Sequence, residues 1–195
     1  MKLIDKLLGS KLKKEQKAFN KIKLLEIVIS IIFIIVGIII FMNKTMSATT
    51  ISIILGIIVL LESALNIYSF VMSNSNRFFR FNMIFGILYL IISLLLFTNL
   101  IKFVNALQIY YSFYLMISGI KLLVLTINLK IIKDESFLIM LAMTILNIAL
   151  GGLLLFYPFQ SFTITEVIAV FTILIGLLNI NNSNLLKGRV KKIIK

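Results

Sequence analysis

Six long, predominantly apolar stretches decide what this chain can become. They run over residues Leu24–Met42, Ala48–Met72, Phe78–Phe97, Phe103–Leu129, Phe137–Tyr157 and Thr163–Ile180. About 20 apolar residues cross the hydrocarbon of a bilayer as a helix. Backbone N–H and C=O groups in lipid must be paired internally, which leaves only helices and closed barrels. A barrel needs apolar and polar residues in alternation. These stretches do not alternate, so the expectation is an all-α, polytopic membrane protein with six transmembrane helices.

Composition narrows the chemistry. Of 195 residues, 61% are hydrophobic, and there is no cysteine or histidine. Disulfides, thiol catalysis, haem with His or Cys ligands and ordinary zinc sites are excluded. The seven acidic residues form no metal-spaced cluster, and there is no phosphate loop or nucleophile motif. No catalytic residue, cofactor or metal is therefore expected. The net charge of +13 is read as a topology signal and an attraction to anionic lipid, not to nucleic acid. Eight lysines lie in residues 1–23. Arg77 and Arg80, Lys130 and Lys133, and Lys187, Arg189, Lys191, Lys192 and Lys195 fall on the same side. Lys44 and Lys102 are the cations of the opposite loops. The positive-inside rule then puts both termini in the cytoplasm.

Residues 1–23 place Leu3, Leu7, Leu8, Leu12, Phe19 and Ile22 at helical spacing among lysines. This predicts a basic amphipathic helix lying on the cytoplasmic leaflet, followed by a membrane domain over 24–184 and a basic tail over 185–195. The membrane domain divides into hairpins 24–72, 78–129 and 137–182. The partner expected is the bilayer, with anionic lipid at the basic ends; homo-oligomerisation is left open.

The hairpins repeat. Aligning Phe41, Phe97 and Phe156 brings Gly37, Ser93 and Gly152 into register, each four residues earlier. Seven residues before these lie Ser30, Gly86 and Ile145, so the pair of small residues fails in the fifth span, where Ala142 and Ala149 offer the spacing at another phase. The even spans carry Gly56 and Ser63, Ser112 and Gly119, and Ala169 and Gly176, each pair seven apart. A heptad of small residues keeps one helix face thin, so a neighbouring backbone can approach. Pro158 ends the fifth span, where Asn43 and Asn99 stand in the other copies; both residue types suit a turn. The copies all enter from one side and are parallel, with an axis along the membrane normal.

The three copies "GIIIFMN…GIIVLLESAL", "SLLLFTN…SFYLMISGI" and "GLLLFYP…AVFTILIGL" resemble the HdeD family of bacterial inner-membrane proteins. The resemblance covers Leu24 to about Asn184, with Ser, Ala or Asn at several positions where that family more usually has Gly and Pro. It implies a plasma-membrane protein linked to acid or envelope stress. It brings no catalytic residue with it.

Glu62 and Lys121 are the ionisable residues set well inside spans. Either costs about 2.5–3.5 kcal/mol at mid-bilayer on insertion scales. In the repeat frame they lie three residues apart, close enough to pair if spans two and four are neighbours. Asn66 and Asn179 share a repeat position and complete a candidate intramembrane polar site. Two readings stay open: a proton- or ion-linked transport site, or a neutral carboxyl with a snorkelling lysine. Glu26 and Glu166 fall near span ends, so no carboxylate is expected to join Glu62.

Overall fold

The computed structural model describes residues 2–43, 45–72, 80–98, 104–156 and 163–188, with side-chain surroundings from Gln16 onward. Lys44, Arg77, Asn99, Lys102, Pro158 and the tail beyond 188 lie outside the described residues. Six helices follow in order: α1 Lys2–Met42, α2 Ala48–Met72, α3 Asn82–Thr98, α4 Val104–Ile131, α5 Phe137–Phe156 and α6 Ile164–Gly188. Five are long and apolar enough to cross a membrane. The sixth, α3, has 17 residues, roughly 25 Å of helix, and begins later than the predicted Phe78.

The helix ends have local causes. Ser47 caps α2, its Oγ accepting from the Thr50 amide at 3.1 Å. Thr163 and Glu166 form a reciprocal capping box at the start of α6, with bonds of 3.1 and 3.3 Å. After α4, the Asp134 amide donates to Leu129 O and the Lys133 amide to Lys130 O. That is a Schellman turn, and it puts Lys133 at φ 51°, where a side chain is strained. Lys133→Gly should therefore raise stability by about 1 kcal/mol, read as a higher melting temperature in detergent.

The amino-terminal segment departs from expectation. No break separates residues 2–23 from the first span; α1 is one helix of 41 residues. Phe19 and Ile22 are fully buried against Leu122, Leu125, Leu129, Met140 and Leu186. These two are covered by α4, α5 and α6 instead of lying on a leaflet surface, while the side chains of Leu3, Leu7, Leu8 and Leu12 lie outside the described residues. A continuous helix wins because nothing between Gly9 and Met42 interrupts it.

Packing also regroups the repeats. The closest pairs are α2 with α3, α4 with α5, and α6 with α1. Each joins the second helix of one hairpin to the first of the next, and α6–α1 closes the ring. Contacts of α4 with both α2 and α6 put the even helices innermost. The small residues make these joints. Ser63 Oγ donates to Gly86 O at 2.7 Å, and Ser93 Oγ to Gly56 O at 3.0 Å. A methyl group on Gly37 would meet Ala169 O at 2.9 Å, and one on Gly176 would meet Ser30 O at 2.7 Å. Ser112 and Gly119 are buried on α4, with Gly119 tight against Ile148.

Gly152 is the exception. A methyl group there meets nothing within 4 Å, whereas on Gly151 it would strike Met116 at 2.7 Å. The third copy is in register one residue earlier, at Thr144 and Gly151, which are seven apart and buried. Cross-helix bonds confirm this frame. Ser52 and Gln108, each four before the first small residue of their helix, donate to Leu96 O and Leu154 O at 2.7 Å. Those acceptors lie three after Ser93 and Gly151. Ala142 and Ala149, the other phase considered, are exposed. Phe156 misled the alignment because it lies on the outer face, 82% exposed, where no partner fixes its register.

Candidate functional site

Polar residues collect in the half of the bundle where the termini lie. A cavity of ≈ 30 Å³ there is walled by α1, α2, α3, α4 and α6. Glu62, Lys121, Asn66 and Asn179 all line it, and Glu26, Tyr89, Ser118, Asn182 and Ser183 join them. A water molecule needs roughly 10–15 Å³, so the cavity holds about two.

Glu62 sits on the wall formed by α2. Its Oε2 accepts from the Tyr114 hydroxyl at 3.0 Å, and its Oε1 from Asn179 Nδ2 at 3.4 Å. Asn66 Nδ2 donates to the Glu62 carbonyl at 2.8 Å. Tyr114 is held rigidly: its ring stacks on Phe33 and Tyr111 at centroid distances of 5.9 and 5.5 Å, and Tyr89 lies tilted at 5.4 Å. These aromatics form a floor. Beyond it Ile51, Leu55, Leu96, Leu107, Leu154 and Ile168 are completely buried, a largely apolar core that the Ser52 and Gln108 hydrogen bonds cross.

Lys121 and Glu62 do not form a contact ion pair. The lysine points over the face of Tyr89, 5.9 Å from the ring centroid, a cation–π distance. Both side chains nevertheless line the same cavity. The contact pair is Lys23 with Glu26, at 2.6 Å, and Ser183 Oγ donates to the same carboxylate at 2.9 Å. This lock ties α1 to α6. Lys23 is only 2% exposed, so its charge depends on that partner.

The expectation that no carboxylate joins Glu62 is overturned, because Glu26 lines the same cavity. It looked terminal in the sequence because the first span was cut at Leu24, whereas α1 continues well beyond it. A signal did exist: Glu26 lies four residues before Ser30, and the equivalent Asn82 of α3 is buried too. Tyr89 and Tyr114 carried no signal, since a tyrosine in an apolar helix reads as core.

The outer faces fit lipid. Ile35, Ile57, Ile84, Ile120, Ile145 and Leu177 are among many large apolar side chains exposed around the bundle, which a water-soluble monomer would not present so broadly. The description "short repeat of unknown function (DUF308)" matches residues 28–98 and again 84–156. Together the matches cover about two thirds of the chain. The chain belongs to the DUF308 short-repeat family. The two DUF308 matches start 56 residues apart, at 28 and 84, the same interval that separates Gly37 from Ser93 and Gly56 from Ser112. Each match ends in the odd helix of the following copy, at 98 or 156, so the DUF308 unit includes the tight even–odd joint seen in the fold. No curated protein and no solved structure matches the chain.

The polar cavity breaks the DUF308 symmetry. Where α2 has Glu62, the equivalent positions of α4 and α6 carry Ser118 and Ile175; where α4 has Lys121, α2 and α6 carry Leu65 and Leu178. The packing residues recur in every copy, whereas each charged residue occurs once.

Proposed function

We propose that this DUF308 protein is a non-catalytic integral membrane protein of HdeD type, serving envelope or acid stress in a bacterial plasma membrane. One observation supports this over transport: the polar cavity lies on one side of the Tyr89, Tyr111 and Tyr114 cluster, and the described residues on the other side pack as a largely apolar core. A deletion strain should grow poorly under acid or envelope stress and normally otherwise. Normal growth under both stresses would remove the reading.

Both termini face the cytoplasm in this proposal, and the basic ends meet anionic lipid. The absence of native cysteine makes labelling clean. A cysteine placed at Ser75 should resist an impermeant thiol reagent in intact cells and react after lysis. Labelling from outside would invert the scheme.

A second reading, proton- or ion-linked transport through Glu62 and Lys121, is favoured by the lysine that faces the cavity without a contact ion pair. Purified protein in sealed vesicles separates the two. Proton or ion flux above protein-free vesicles, lost in Glu62→Gln, would favour transport; we expect none.

A further inference from the structure

The cavity presents both donors and acceptors: the Lys121 ammonium and the Tyr89 hydroxyl face it together with carboxylate and amide oxygens. Asn66 and Asn179 each turn their amide nitrogen toward Glu62, so their carbonyl oxygens remain available as acceptors. Asn182 Oδ1, on a residue 6% exposed, has no partner. The Tyr89 hydroxyl, on a fully buried ring, has no hydrogen-bond partner among the described residues. Leaving such groups unpaired costs about 1–3 kcal/mol each, and buried water satisfies groups of this kind. An anion drawn to the Lys121 ammonium would lie against the Glu62 and Glu26 carboxylates, which line the same small cavity and repel it. A metal cation would compete with the Lys121 ammonium for the same oxygens. What fits is a species that both donates and accepts: water, and the proton that water carries.

We propose that this cavity is a proton-binding site, with Glu62 as the group that takes the proton and cavity water as its carrier from the side where the termini lie. The exchange is a simple transfer. An O–H bond forms on a Glu62 carboxyl oxygen as one breaks on a cavity hydronium, leaving water behind. No electron moves.

The neighbours single out Glu62. On α1, Glu26 is already neutralised by Lys23 and held by Ser183. On α3 and α4, the groups facing Glu62 are the phenols Tyr89 and Tyr114 and the ammonium of Lys121. From α6 it meets only amides and a hydroxyl, Asn179, Asn182 and Ser183. Glu62 is thus the cavity carboxylate held by neutral donors, with its counter-charge across the water. Sidedness follows from the aromatic cluster and the packed apolar residues beyond it. Glu26, Asn182 and Ser183 lie toward the end that carries the termini. This site adds a sensing element to the stress reading and is tested independently of any growth phenotype.

The test is difference infrared spectroscopy of the full chain in lipid, from about pH 4 to about pH 9, a range that brackets carboxyl titration. A protonated-carboxyl C=O band should appear and vanish with pH and shift in D₂O. It should be lost in Glu62→Gln and persist in Glu135→Gln, whose carboxyl lies in the α4–α5 turn. Lys121→Met should change its titration midpoint. Should the Gln variant not fold, Glu62→Asp keeps a carboxyl and must move the band. A band unchanged in the Glu62 variants, no titrating band, or a band that follows sodium or potassium at fixed pH would each overturn the proposal.

Discussion

Gly176→Leu is expected to break the ring at its closing joint. Already the first added carbon would lie 2.7 Å from the Ser30 carbonyl and 2.6 Å from Ile34 Cγ1. A carbonyl within a helix cannot step aside, so α1 and α6 must separate. Overpacking a filled site costs typically 1–3 kcal/mol. Here the displaced joint also carries the Glu26–Ser183 bond, so the loss should reach the top of that range, about 3 kcal/mol. Gly152→Leu is the matched control. It adds the same side chain to the same kind of apolar helix, where nothing lies within 4 Å, and should change stability by less than about 0.5 kcal/mol. Melting in detergent compares them directly. Equal losses would mean that the close approach between α6 and α1 does not hold the bundle.

That contrast also marks where the sequence stopped being legible. Hydrophobic length defines the spans because lipid imposes one requirement on every residue of a run. The α2 and α4 heptads of small residues were readable for a similar reason: the pattern recurs and its spacing matches a helix face. Gly151 and Gly152 are adjacent, and only the partner helix tells which one faces it. The choice fell on Gly152 through Phe156, a residue that touches lipid and so carries no register. The pairing of α6 with α1 was hidden for a different cause. It joins the chain's two ends, and hairpins drawn along the sequence cannot show a contact between the first and last copy.

The polar site was half legible. Glu62 and Lys121 stand out because a charge inside an apolar run is costly and rare. Asn66 and Asn179 followed from sharing a position in the repeat. Glu26 was set aside as terminal, and Tyr114, which donates to Glu62, was indistinguishable from core. Both misses concern partners rather than charges. A sequence shows which group needs compensation, whereas only the fold shows what supplies it.

Glu62 carries the second large effect. Glu62→Leu removes the acceptor of the Tyr114 hydroxyl and of Asn179 Nδ2, and it leaves Lys121 without the opposite charge across the cavity. Removing one member of a buried charged pair costs roughly 3–5 kcal/mol. The separation of Glu62 and Lys121 across the cavity softens that, while the two orphaned donors add about 1 kcal/mol or more each. A loss of about 4 kcal/mol is expected. Glu62→Gln should lose far less. Its carbonyl oxygen still accepts from Tyr114, and Asn179 can turn its amide to present oxygen to the new NH₂ group. The expected order in a detergent melt is wild type, then Gln close behind, then Leu far below. Adding Lys121→Met to Glu62→Leu should recover part of the loss, because the uncompensated ammonium disappears with its missing partner. If the double variant melts no higher than Glu62→Leu alone, Lys121 and Glu62 are not coupled, and the cavity is not the electrostatic centre of the bundle.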